Sequence, residues 1–300
     1  MLSTSINKYM YISIHPCFDP RQTVLKYSKT EIVDDISHIE HKIFNCVLND
    51  MKISGVEIAC AADIPAGTGL GSSSAFTVGL LHTLSCYKGK YASKMKLAEA
   101  ACDIEINKLG NPIGKQDQYA AALGGLNFIR FHRDGNVTYT PIITKPETKI
   151  ELQNCLTMFY LGTVHSANEI LAEQNRNMNE KEKVQNLREM CMLTEIMKES
   201  LENNSIADFG KIMDESWKLK RSLASGITNP ALDSLYEKAI SAGAEGGKLL
   251  GAGGAGFFLF FCSPEKKERL RIALGLRPFP FVFENDGTSV IYIGDKYWDD

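Results

Sequence analysis

The stretch D-I-P-A-G-T-G-L-G-S-S-S-A, Asp63 to Ala75, sets three glycines and three serines between two apolar runs. Before it, V-E-I-A-C-A-A reads as a short buried strand. After it, S-A-F-T-V-G-L-L-H-T-L-S-C-Y-K-G places Val78, Leu81 and Leu84 three apart with Leu80 beside them, the spacing of a helix with one apolar face. Gly89 closes that helix as a residue just past its end would. Strand, glycine loop and helix N-terminus is an arrangement that holds phosphate, because bare backbone lets N–H groups converge on an anion at the positive end of the helix. The serine hydroxyls add hard oxygens of the kind a divalent cation takes. Neither common phosphate-loop pattern fits: Gly71 is followed by Ser72, Ser73 and Ser74 and not by Gly-Lys-Ser/Thr, and Ser72 stands where a dinucleotide fingerprint has its third glycine. A flexible Gly/Ser turn is the plain alternative, and the helix directly behind the loop argues against it.

Two carboxylates follow. At 100° per residue, Ala98, Ala101, Cys102 and Leu109 share one sector of a helix expected over Ser93 to Leu109, and Glu105 falls inside it. A carboxylate on a buried stripe needs compensation, so Glu105 is expected to meet a cation, either a lysine or a metal. In G-N-P-I-G-K-Q-D-Q-Y, Gly110 and Pro112 break that helix, and Asp117 opens the next one, expected to run to Leu123. An Asp at a helix start is often only a cap. Phosphoryl transfer, however, needs a phosphate cradle, hard oxygen ligands for a metal and a carboxylate near the acceptor hydroxyl, and all three are present in this one segment. A further cluster, G-G-K-L-L-G-A-G-G-A-G-F-F-L-F-F from Gly246 to Phe261, carries more glycine than a tight turn requires. Close approach of its backbone to a ligand or to the first loop accounts for the excess.

The remainder of the 300 residues fits one large or two medium domains, with 44% apolar content. Strand patterns (Met10 to Ile14, L-N-F-I-R-F-H, Cys155 to Leu161, F-F-L-F-F and S-V-I-Y-I) mix with helical ones (a polar region over 180–203, then a helix through Trp217) without a regular βαβ rhythm. That favours an α+β fold over a doubly wound sheet. The proline-bearing segment P-I-I-T-K-P-E-T-K suggests a boundary, giving an N-terminal nucleotide-binding domain over 1–145 and a C-terminal domain over 146–300. No run is long and apolar enough to span a membrane and no leader pattern stands at the start, which gives an expectation of a cytoplasmic protein. The eight cysteines are scattered singly, as reduced apolar residues would be, and a net charge of −3 with dispersed Lys and Arg excludes a nucleic-acid footprint. The expected partner is a small molecule.

Taken together, P-A-G-T-G-L-G-S-S-S-A, the pair Glu105 and Asp117, and K-L-L-G-A-G-G-A-G-F resemble the superfamily of galactokinase, homoserine kinase, mevalonate kinase and phosphomevalonate kinase. Within it, N-P-I-G-K-Q-D-Q-Y-A-A-A-L-G-G-L-N-F, Y-S-K-T-E at Tyr27 to Glu31 and W-K-L-K-R-S-L at Trp217 to Leu223 are similar to the D-glycero-D-manno-heptose 7-phosphate kinases. The resemblance implies a two-domain fold, the N-terminal part like the second domain of ribosomal protein S5 and the C-terminal part ferredoxin-like, with the chain starting just after the family's first strand. It implies transfer of the ATP γ-phosphoryl group to the anomeric C1 hydroxyl, another sugar such as L-fucose or a non-catalytic binding protein being the alternatives. The nucleotide would lie on Pro65, Ala66, Gly67, Thr68, Gly69, Leu70, Gly71, Ser72, Ser73 and Ser74, with Mg²⁺ on Glu105 and on Ser72 or Ser73. Asp117 would be the catalytic carboxylate. Gly114, Lys115, His165, Ser166, Gly253 and Gly254 would face the substrate, and Arg221 or Lys220 is expected there for its charge. His165 departs from the family pattern, which commonly has arginine at that place.

Overall fold

The strand Phe257–Phe261 consists of five consecutive apolar residues, and both of its faces are covered. In the computed structural model, which describes residues 1–162 and 167–294, it pairs antiparallel with Gly246–Leu249 on one side and Leu156–Tyr160 on the other. Pro278–Phe279 adds a short outer strand. On one face Phe258 and Phe260 pack with Leu249, Tyr236 and Trp217, the indole being 1% exposed. On the other, Phe261 joins Phe128, Leu156, Leu201 and Phe209. Each such fully buried Phe or Leu contributes about 1.5–3 kcal/mol relative to an exposed one.

The chain divides into two compact units. The first gathers Met1–Asn7, Ala66–Leu70 and Gly125–Glu284. Besides the sheet just described it holds a second one, in which Asn127–Phe131 pairs with Leu2–Ser3 and Val137–Pro141. Its helices are Pro146–Cys155, Ala167–Asn177, Lys181–Glu202, Phe209–Arg221, Pro230–Ser241 and Lys267–Leu274. The second unit gathers Lys8–Pro65, Gly71–Gly124 and the residues from Asn285 onward. Its sheet is mixed, in the order Met10–Pro16, Val56–Ala62, Thr23–Lys26 and Thr30–Val33, with the middle pair parallel. The helices Lys42–Met51, Ser72–Tyr87, Lys94–Cys102 and Gln116–Leu123 belong to this unit.

The α+β class expected from the sequence stands. So do the strand at Met10, the strand before the loop and the helix after it, with Val78, Leu80, Leu81 and Leu84 buried and Gly89 left-handed at φ 64°. Ser93 caps its helix by accepting from the Lys96 N–H. Within the proline-bearing segment, Pro146 opens a helix at the first position, where proline costs nothing because its missing N–H would have had no partner. One local expectation is corrected. The alternating S-V-I-Y-I segment forms no strand: Ile291 and Tyr292 are 85% and 81% exposed, and alternation without a neighbouring strand leaves backbone groups to solvent. No helix among the described residues is long and apolar enough to cross a membrane.

Candidate active site

The helix Ser72–Tyr87 begins at Gly71, a left-handed glycine with φ 72° whose carbonyl accepts from the Ala75 N–H at 2.8 Å. No side chain caps this end, so the first-turn serines are available for other partners. Ser73 Oγ donates to Glu105 Oε1 at 2.7 Å, and Ser74 Oγ donates to Oε2 at 2.9 Å. Gln118 Nε2 donates to the same Oε2 at 2.7 Å. Glu105 is completely buried. Of the two cations expected beside it, a lysine or a metal, the lysine is not among its hydrogen-bond partners: among the described residues these are three neutral donors.

Glu105 does not lie on an ordinary α-helix. From Asp103 to Lys108 the helix widens to π geometry, with Leu109 N–H reaching the Ile104 carbonyl five residues back. Such one-turn widenings accompany functional sites because they turn side chains out of the regular 3.6-residue register. Burial pushes the neighbouring Cys102 thiol up to about 12, so it behaves as an apolar residue here. All eight cysteines are free, as their scatter suggested.

Asp117 is the second residue of the helix Gln116–Leu123 and is exposed. Lys115 occupies the capping position and makes no side-chain cap; Asp117 is therefore not the N-cap. A Cβ placed on Gly71 would stand 3.4 Å from the Asp117 Cβ and 3.7 Å from its Oδ2. The carboxylate thus lies against the residue that opens the serine helix, and only a glycine leaves that surface bare. Gly114 and Lys115, the expected substrate neighbours, are exposed just ahead of it. Gln118 is the residue that sequence reasoning missed. It is completely buried, and the available signal was its place beside Tyr119 and Ala122 on the covered side of the helix.

In the other unit, the loop residues Ala66–Leu70 meet the second glycine cluster, backbone to backbone. A Cβ on Gly69 would come within 2.7 Å of the Leu250 carbonyl oxygen, and one on Gly256 within 2.2 Å of the Thr68 oxygen. Approach to the first loop therefore accounts for part of the glycine excess. Gly253 and Gly254, expected near substrate, face the backbone of Ile227, whose carbonyl accepts from the Gly254 N–H at 3.0 Å. Arg221 is engaged by Asp233 at 2.9 Å and lies over the Tyr236 ring at 6.0 Å. Lys220 donates to the carbonyls of Leu249 and Gly251. His165 and Ser166 lie outside the described residues.

Comparison with known proteins gives the family. Residues 37–125 match the model of the GHMP kinases N terminal domain, and residues 197–277 match that of the GHMP kinases C terminal domain. A D-glycero-alpha-D-manno-heptose 7-phosphate kinase of Campylobacter jejuni is 30% identical over 234 residues, 77% of this chain and 69% of that protein. An L-fucokinase/L-fucose-1-P guanylyltransferase of Bacteroides fragilis is 30% identical over 227 residues, 73% of this chain but 23% of that longer protein. Among solved structures, a D-glycero-D-manno-heptose 1-phosphate kinase from Bacteroides thetaiotaomicron superposes with a TM-score of 0.74 at 25% identity, covering 95% of this chain and 87% of that one. With the serine loop, the paired carboxylates and the matching fold all in one chain, this protein belongs to the GHMP kinase family, enzymes that transfer a phosphate group to a hydroxyl.

Proposed function

We propose that the chain is an ATP-dependent sugar-phosphate kinase that phosphorylates the anomeric C1 hydroxyl of D-glycero-D-manno-heptose 7-phosphate, giving the 1,7-bisphosphate. The observation that carries the chemistry is the exposed Asp117 carboxylate against Gly71, at the start of the helix whose serines hold Glu105. The heptose acceptor is supported by the Campylobacter relative. The N–H groups of Gly67 to Ser73 hold the ATP phosphates, since left-handed Gly67, Gly69 and Gly71 alternate along the loop as in anion-binding backbone nests. Asp117 orients the C1 hydroxyl toward the γ-phosphorus and accepts its proton as the new P–O bond forms and the bond from the γ-phosphorus to the bridging oxygen of the departing ADP breaks; in a loose transition state that proton transfer comes late, so no strong base is required.

The residues present fit Mg²⁺. Ser73 Oγ donates a hydrogen bond to Glu105, which leaves the oxygen's lone pairs for a cation, and Ser72 is half-exposed beside it. Mg²⁺ asks for one or two carboxylates together with phosphates and water, so Glu105 with Ser72 or Ser73 is an adequate protein share. When bound, Mg²⁺ supplies positive charge to the phosphate oxygens. With its free thiols, the enzyme is proposed to work in the cytoplasm.

The test is ADP release with heptose 7-phosphate, heptose 1-phosphate, free heptose and L-fucose as acceptors, with the phosphorylated position read by ³¹P NMR. The highest kcat/KM is expected for heptose 7-phosphate, with phosphate added at C1. Faster turnover of L-fucose would favour the acceptor of the Bacteroides relative and overturn the heptose reading.

A further inference from the structure

We propose that Lys220 is a positioning residue for the nucleotide loop, acting through the carbonyl groups of the second glycine cluster. The inference rests on the reading of Ala66–Leu70 as part of the ATP site.

Lys220 lies in the last turn of the helix Phe209–Arg221. That helix is fixed one turn earlier by Trp217, whose ring meets Phe258 at 5.8 Å, and Phe258 is the register partner of Leu249. From there the half-buried Lys220 ammonium donates to the Leu249 oxygen at 3.2 Å and to the Gly251 oxygen at 2.6 Å. The carbonyl between them, that of Leu250, faces the other way, onto Gly69. A Cβ on Gly251 would come within 2.5 Å of the Gly69 Cα. Three successive carbonyls therefore alternate between the lysine and the phosphate loop, and fixing the outer two fixes the middle one.

The arrangement answers a local difficulty. Beyond Leu249 the hairpin runs into left-handed glycines, where the regular ladder stops; Leu249 is buried and Gly251 exposed, so the lysine bonds one covered residue's carbonyl and one at the surface. An ammonium satisfies two at once with charge-assisted bonds. A neutral, shape-matched residue leaves both without a donor, and the loop they belong to is the one on which Gly69 rests. A role in holding the hairpin alone predicts a loss of stability and nothing else. The positioning role predicts a loss of nucleotide affinity as well.

The experiment measures, on the full chain, the Kd of Mg·AMP-PNP by titration calorimetry together with the thermal midpoint. The variants are Lys220→Met, Gly69→Ala, the double variant, and Lys218→Met as control. Lys218 is on the same helix and pairs with Asp214 at the surface. Lys220→Met is expected to raise the Kd at least about tenfold, the effect of a lost charged hydrogen bond. Gly69→Ala is expected to raise it too, the double variant by less than the product of the two, and Lys218→Met not at all. If Lys220→Met does not fold, Lys220→Leu, which likewise has no donor, is held to the same criterion. Wild-type affinity in the lysine variant overturns the clamp, whatever its thermal midpoint, and so does a fully multiplicative double variant. If Gly69→Ala also binds as wild type, the reading of this loop as the ATP site fails with it; if Gly69→Ala binds weakly while the lysine variant does not, only the clamp fails.

Discussion

Glu105 and Asp117 are both carboxylates of the same unit, yet their surroundings are opposite. Glu105 sits in a π-helical turn, has no solvent exposure and is held by two serine hydroxyls and the Gln118 amide. Asp117 stands exposed in the first turn of a short helix, with the bare backbone of Gly71 in front of it. The first environment fixes a carboxyl group in the interior, while the second places one at the surface. Gln118 joins the two, since it follows Asp117 in the chain and bonds to Glu105. On the proposed reading, burial and hydrogen-bond donors sort this pair of acids into metal ligand and base.

The largest effect that would undo this sorting belongs to Asp117. Asp117→Asn keeps shape and removes proton acceptance; kcat is expected to fall roughly 10²-fold or more, with thermal stability little changed. A variant that turns over normally would make Asp117 a helix-start acid and nothing more. Glu105→Gln comes next. Its amide N–H₂ must face one of three donors, so both stability and metal dependence should suffer, the apparent Mg²⁺ constant rising at least about tenfold. Gln118→Met separates the two acids further, because it removes one donor to the buried acid without touching the exposed one. A loss of about 1.5–3 kcal/mol by denaturant unfolding is expected for a hydrogen bond to a charge. Gly71→Ala gives the smallest change, about 1–2 kcal/mol from a side chain in the left-handed region, the new methyl lying in ordinary contact with Asp117.

Much of this is legible in the amino-acid order. Val78, Leu80, Leu81 and Leu84 announce the helix behind the serine loop, and their burial follows from simple periodicity. Glu105 is legible as a buried carboxylate, but its partners are not. Periodicity reports which face is covered, whereas the donors come from Ser73 and Ser74, more than thirty residues away, and from a Gln whose direction depends on where its helix lands. The π widening is equally silent in sequence, since one added residue per turn leaves the apolar stripe nearly intact over so short a run. The helix opened by Pro146 is not announced by the segment's prolines, since proline is common both in loops and at a helix start. Ile291 and Tyr292 mislead because alternation describes one strand and says nothing of a neighbour to pair with. Arg221 stands out by its charge, yet Asp233 engages it, and only the fold brings that partner close.

The division of labour between the two acids is tested most directly by titrating Mg²⁺ into initial-rate assays of the wild type, Asp117→Asn and Glu105→Gln at saturating ATP and sugar phosphate. The account predicts that Asp117→Asn loses kcat while its apparent Mg²⁺ constant stays at the wild-type value, and that Glu105→Gln shows a raised Mg²⁺ constant with rate recovered in part at high Mg²⁺. A raised Mg²⁺ constant in Asp117→Asn together with an unchanged one in Glu105→Gln would reverse the roles and contradict the assignment.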